Sequence, residues 1–136
     1  MRIFNETNIR IPRKKITEIY TDLMQAVCPL NVIGVGNRAS QKLNRAYRNT
    51  DKPASVLTFP PDNKPAEIYL NMHHAQKTAR EEGISVTERV IFLYLHALLH
   101  LLGHKHGPRM ESLEDEYATT YMYEAKEGKR RCRRPQ

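Results

Sequence analysis

The chain is expected to fold as one α+β domain with about four strands and about five helices. Three observations predict this. Its 136 residues fit a single domain. Short β-branched runs (LNVIGV, SVLTF, EIYL) stand among longer stretches with apolar residues at helical spacing. No internal repeat and no shift of composition divides the chain.

Arg2 to Asn5 fits a short edge strand. Pro12 opens the first helix, because its fixed φ suits a helix start and its missing N–H costs nothing there. Ile16, Ile19, Tyr20, Leu23, Met24 and Val27 then recur at helical spacing, until Pro29 stops the run. Leu30 to Val35 is apolar and β-branched, and reads as a strand. Asn37 or Ser40 caps a second helix expected to turn Leu43, Ala46 and Tyr47 inward. Arg48 to Pro53 (RNTDKP) is a polar loop rich in turn residues. Ser55 to Phe59 is a strand ended by Pro60 and Pro61, and Glu67 to Leu70 is another. Asn71 caps a third helix that ends at Gly83.

Ser85 and Glu88 have the spacing of a capping box, and open the most apolar helix of the chain. It carries Val90, Ile91, Leu93, Tyr94, Ala97, Leu98 and Leu101, and Gly103 should end it. The last helix is expected from Met110 to Glu127, with Gly128 at its end. Residues 1–128 make the domain, and residues 129–136 a basic tail expected to be disordered.

Lys and Arg number 22 against 15 Asp and Glu, a net charge of +7 that favours a polyanion such as nucleic acid. No apolar run approaches the roughly 20 residues of a membrane span, so no membrane partner is expected. The start, MRIFNETNIRIPRKK, lacks the apolar core of a signal peptide. Cys28 and Cys132 are far apart and form no CxxC, which reads as reduced thiols in the cytoplasm.

The chemistry is concentrated in Leu95 to Gly107, LHALLHLLGHKHG. His96 and His100 lie one helical turn apart on one face, and His106 follows the break at Gly103. Together they read H-x-x-x-H-x-x-G-x-x-H. A single histidine on an apolar helix is ordinarily a core residue. Three at ligand spacing, in a chain with only 6 histidines, point instead to a metal ion such as zinc. Three neutral ligands leave one tetrahedral position for water and the full 2+ charge to lower its pKa to about 7. His104 continues the spacing from His100, but a helix ending at Gly103 carries it off the ligand face and favours His106. His73 and His74 read as surface residues.

Zinc peptidases of the H-E-x-x-H-x-x-G-x-x-H pattern carry a general-base glutamate where this chain has Ala97, which weakens a peptidase reading. Glu111 and Glu114 are carboxylates downstream, and nothing in the sequence places either at the site.

Two blocks resemble the YbeY family of endoribonucleases and rRNA maturation factors. That family reads H-G-x-L-H-L-x-G-Y-D-H, and His96 to His106 here reads H-A-L-L-H-L-L-G-H-K-H. Its second block reads L-N-x-x-Y-R-x-x-D-x-P-T-D-V-L-S-F-P, and Leu43 to Pro60 here reads LNRAYRNTDKPASVLTFP. The resemblance covers roughly Leu30 to Tyr123. It implies a small mixed β-sheet flanked by helices, and one zinc ion on His96, His100 and His106. It also implies an RNA substrate and work on ribosomal RNA, chiefly at the 3′ end of the small-subunit RNA, with ribosomal subunits or assembly proteins as partners.

The family's functional arginine falls on Arg48, whose guanidinium can hold a phosphate by paired hydrogen bonds. Without the resemblance, Arg48 would read as a surface residue in a polar loop. The chain departs from the family at Ala54-Ser55, Ala66-Glu67 and His104-Lys105. These changes spare the ligands; Ala54-Ser55 and His104-Lys105 lack the family's acid, Glu67 keeps one but lengthens it, and Lys105 adds a cation suited to RNA. No general base stands out, and His104 is the available candidate. The leading expectation is therefore a metal-dependent, single-strand endoribonuclease. Its rivals are a ribosome-assembly factor with a purely structural metal, and the weakened zinc peptidase.

Overall fold

The computed structural model describes residues 1–24, 28–103 and 107–130, with side chains through Tyr121. Four strands and five helices are present among them: β1 (Arg2–Asn5), α1 (Arg13–Leu23), β2 (Leu30–Val35), α2 (Asn37–Arg48), β3 (Val56–Phe59), β4 (Ala66–Asn71), α3 (Met72–Glu82), α4 (Val86–Leu101) and α5 (Pro108–Arg130). The sheet runs β1-β2-β4-β3. The first three of these are parallel, and β3 lies antiparallel on the edge of β4, so the sheet is mixed.

Alternation along the strands sends Leu30, Val32, Ala66, Ile68 and Leu70 to one face, where they are buried in the core with Ile16 and Ile19 of α1. α4 is the pivot of this core and packs against β3, β4, α1, α3 and α5. Its capping box is formed in full by Ser85 and Glu88. The hydroxyl of Tyr94 donates to the carbonyl of Ile16 at 3.0 Å, tying α4 to α1. Burial raises the pKa of that hydroxyl well above the ordinary tyrosine value. No single helix among the described residues is long and apolar enough to cross a membrane.

Several element boundaries and faces differ from expectation. The fourth strand is longer at both ends, Ala66–Asn71, because every one of its residues pairs with β2. In α2 the inward residues are Ser40 and Asn44, while Ala46 and Tyr47 are exposed. The helix lies against a polar loop, so its polar residues face inward. Tyr47, 68% exposed, packs edge-on against Phe59 across the sheet edge, with ring centroids 5.1 Å apart. α5 runs past Gly128 to Arg130; a helical glycine costs only about 1 kcal/mol against alanine. Val27, expected in the first helix, and residues 131–136 of the basic tail lie outside the described residues.

Candidate active site

α4 is buried on almost every side. From Val90 to Leu99, the half-buried positions are Phe92 and His96, and His100 continues that stripe at the next four-residue step. The apolar surroundings fix the helix by packing, so the remaining side presents its imidazoles in one direction. The two rings lie 4.8 Å apart between centroids, at 72° to each other.

They open on a cavity of about 500 Å³ lined also by Asn44 and Arg48 of α2, Lys52 of the following loop and Thr58 of β3. Arg48, His96 and His100, far apart in sequence, thus share one cavity. His106, expected as third ligand, and His104 and Lys105 lie outside the described residues. Gly103 ends α4 as expected, at φ +95° with its N–H donating to the carbonyl of His100 at 3.0 Å.

The wall opposite α4 is held by polar side chains. Ser40 Oγ donates to the carbonyl of Ala54 and accepts from its N–H, both at 2.9 Å. Asn44 Nδ2 donates to the carbonyl of Lys52 at 2.8 Å. Asn71 caps α3 by accepting from the N–H of His74, and its amide donates to Ala54 and to Asn37. These bonds use the backbone of residue 54, so alanine there keeps the loop in place. Asn49 in the left-handed region then ends α2 directly after Arg48.

The start of α2 is fixed just as closely. His73 Nδ1 accepts from the N–H of Asn37 at 3.2 Å. A Cβ on Gly36 would lie 2.6 Å from the His73 ring, so a larger residue there would have to push the imidazole aside. His73 is exposed, as expected, but it braces α2. His74 is half-buried; burial, then Arg89 and Lys77, hold its pKa below the ordinary histidine value.

One carboxylate that sequence reasoning named but could not place lies at the site. Glu114 of α5 places a carboxylate oxygen against Nδ1 of His96 in a hydrogen bond. Glu114 is only 7% exposed and lies in the buried stripe Met110, Glu114, Ala118 and Tyr121. A charged residue on the apolar stripe of the last helix was the available signal.

Two imidazoles on one cavity form a donor pair suited to a borderline cation such as zinc. Among the described residues, no set of three His, Cys, Asp or Glu side chains is assembled to hold one.

The chain matches the family model described as "Endoribonuclease YbeY" over residues 2–122. Among proteins of that name, the one from Nitratiruptor sp. is 30% identical over 134 residues, covering 89% of this chain and 88% of the relative. That from Nautilia profundicola is 34% identical over 119 residues, 82% of this chain and 84% of the relative. A third, from Persephonella marina, is 37% identical over 90 residues, which span 56% of this chain and 59% of the relative. The solution structure of TM1509 from Thermotoga maritima superimposes with a TM-score of 0.69 at 24% identity, covering 98% of this chain and 97% of that one. It shows the same fold. With the family pattern matched along nearly its whole length, the chain belongs to the endoribonuclease YbeY family.

Proposed function

We propose that this endoribonuclease is a zinc-dependent enzyme that cuts single-stranded RNA in the maturation of ribosomal RNA, chiefly at the 3′ end of the small-subunit RNA. The observation that carries the proposal is the shared cavity, which Arg48 and Lys52 line together with His96 and His100. Imidazoles without a cation nearby would fit a structural metal as well. A guanidinium and an ammonium on the same cavity fit a phosphate that is held for reaction.

His96 and His100 would hold the ion, with His106 as third ligand. When bound, such an ion supplies a water activated at neutral pH and an electrophile beside the phosphate. The protein's own groups do the rest. Arg48, in the last turn of α2, would take two phosphate oxygens through its fork of N–H groups. Lys52 adds charge on the same side, and Lys105 a further contact. His104 is the group proposed to move the proton. α2 carries Arg38, Lys42, Arg45 and Arg48 and no acid, a surface favourable to an RNA backbone. The expected setting is the cytoplasm, with ribosomal subunits or assembly proteins as partners.

The test compares zinc content and RNA cleavage on the same preparations of wild type, His100→Ala and Arg48→Ala. Arg48→Ala should keep zinc and fold but lose cleavage by about 100-fold or more. His100→Ala should lose both. Unchanged cleavage in both variants would leave a contaminating nuclease as its source, and would favour an assembly factor with a structural metal.

A further inference from the structure

We propose that Glu114 is a positioning residue of the metal centre, acting through His96. The inference rests on His96 being a metal ligand. A buried carboxylate is costly unless a partner satisfies it. Glu114 spends its oxygen on Nδ1 of His96, a residue eighteen positions earlier on a different helix. That bond decides the tautomer: Nδ1 carries the proton and donates it, and Nε2 becomes the nitrogen whose lone pair can take an ion. It also fixes the rotation of the ring, so the donor direction is set before the ion arrives. The carboxylate further supplies negative charge close to a centre whose three direct ligands are neutral.

The same bond has an architectural consequence. α4 ends at Leu101 and α5 begins at Pro108, with His106 in the connection between them. The Glu114–His96 bond ties the two helices on either side of that connection. The carboxylate faces the nitrogen opposite the one that would take the ion, so it is placed to orient the ligand and not to take a proton from water. This separates its role from that of the general-base glutamate of zinc peptidases, whose position Ala97 occupies here.

The experiment measures zinc affinity of the full chain by competition with a chromogenic chelator, beside thermal unfolding of the metal-free protein. The variants are Glu114→Ala, Glu114→Gln and, as a control, Glu111→Ala in the exposed first turn of the same helix. Glu114→Ala should weaken zinc binding by about 10- to 100-fold. Glu114→Gln keeps an oxygen that can accept the Nδ1 proton but loses the charge, and should fall between Glu114→Ala and wild type. Glu111→Ala should bind as wild type does. Cobalt(II) in place of zinc should give a visible absorption band that shifts in the Glu114 variants and not in Glu111→Ala.

A folded Glu114→Ala that binds zinc as tightly as wild type overturns the proposal and leaves the metal centre standing. If Glu114→Ala does not fold, a Glu114→Gln with wild-type affinity and an unshifted cobalt band overturns it equally. A wild-type chain that binds no zinc overturns the metal centre itself, and this proposal with it.

Discussion

The two walls of the cavity are built by opposite means. The α4 wall is apolar: Leu95, Leu98 and Leu99 are fully buried around the histidines, and packing holds them. The α2 wall is polar: Ser40, Asn44 and Asn71 hold residues 52–54 by hydrogen bonds to backbone atoms. Packing is dense and resists small shifts, which suits ligands that must keep a fixed spacing. The hydrogen bonds of the buried Ser40, Asn44 and Asn71 are few and individually modest, so each carries a larger share of its wall. The difference teaches that one cavity can take one wall from apolar packing and the other from hydrogen bonds to backbone.

The largest break of this contrast is Leu98→Ala. It removes a fully buried side chain of the pivot helix and should cost about 2–5 kcal/mol in urea unfolding. A loss below about 1 kcal/mol would mean that the α4 wall is not held by packing. A smaller effect is expected from Ser40→Ala, which loses both bonds to Ala54. Stability should fall by about 1–2 kcal/mol. KM for RNA should rise several-fold while zinc affinity stays unchanged. Equal losses in RNA and zinc binding would show the two walls to be one unit.

The smallest effect is a pH dependence at His74, beside the capping bond of Asn71. Its folded pKa lies below the unfolded value of about 6.5. As pH falls below that value, the unfolded chain takes the proton first. This part of the stability is therefore present above about pH 6.5 and is lost as pH drops toward the lower folded value. His74→Gln should make the fall in Tm between about pH 7.5 and pH 5.5 shallower by about a degree. An unchanged slope would place the acid sensitivity elsewhere.

Much of this was legible in the chain itself. Capping residues and glycines marked the ends of α3 and α4, and strands stood out by β-branched composition; α2, however, starts after Gly36 and not at a cap by Asn37 or Ser40, α1 ends at Leu23 well before Pro29, and α5 runs past Gly128. Ser85 and Glu88 form the expected box, and Asn71 the expected cap. What pattern could not show was which side of α2 faces in. Its neighbour is a polar loop brought close by the sheet edge, so Ser40 and Asn44 are buried and Tyr47 is not. The same limit hid Glu114. Periodicity marks its position as inward, but only the packing of α5 on α4 shows that a histidine waits there. Likewise, spacing could pair His96 with His100, whereas the meeting with Arg48 depends on how α2 and β3 are laid beside α4.

The clamp of His73 over Gly36 makes α2 a lever. One end is pivoted on an imidazole; the other carries Arg48, 12 residues along. At 1.5 Å per residue the arm is roughly 18 Å, and a tilt of about 5° at the pivot swings the guanidinium by about 1.6 Å. An error of about 1 Å at a reacting group can cost on the order of 100-fold in rate. A methyl group added at residue 36 would press on the His73 ring first, and so would act on the pivot through the Asn37–His73 bond while touching nothing in the cavity.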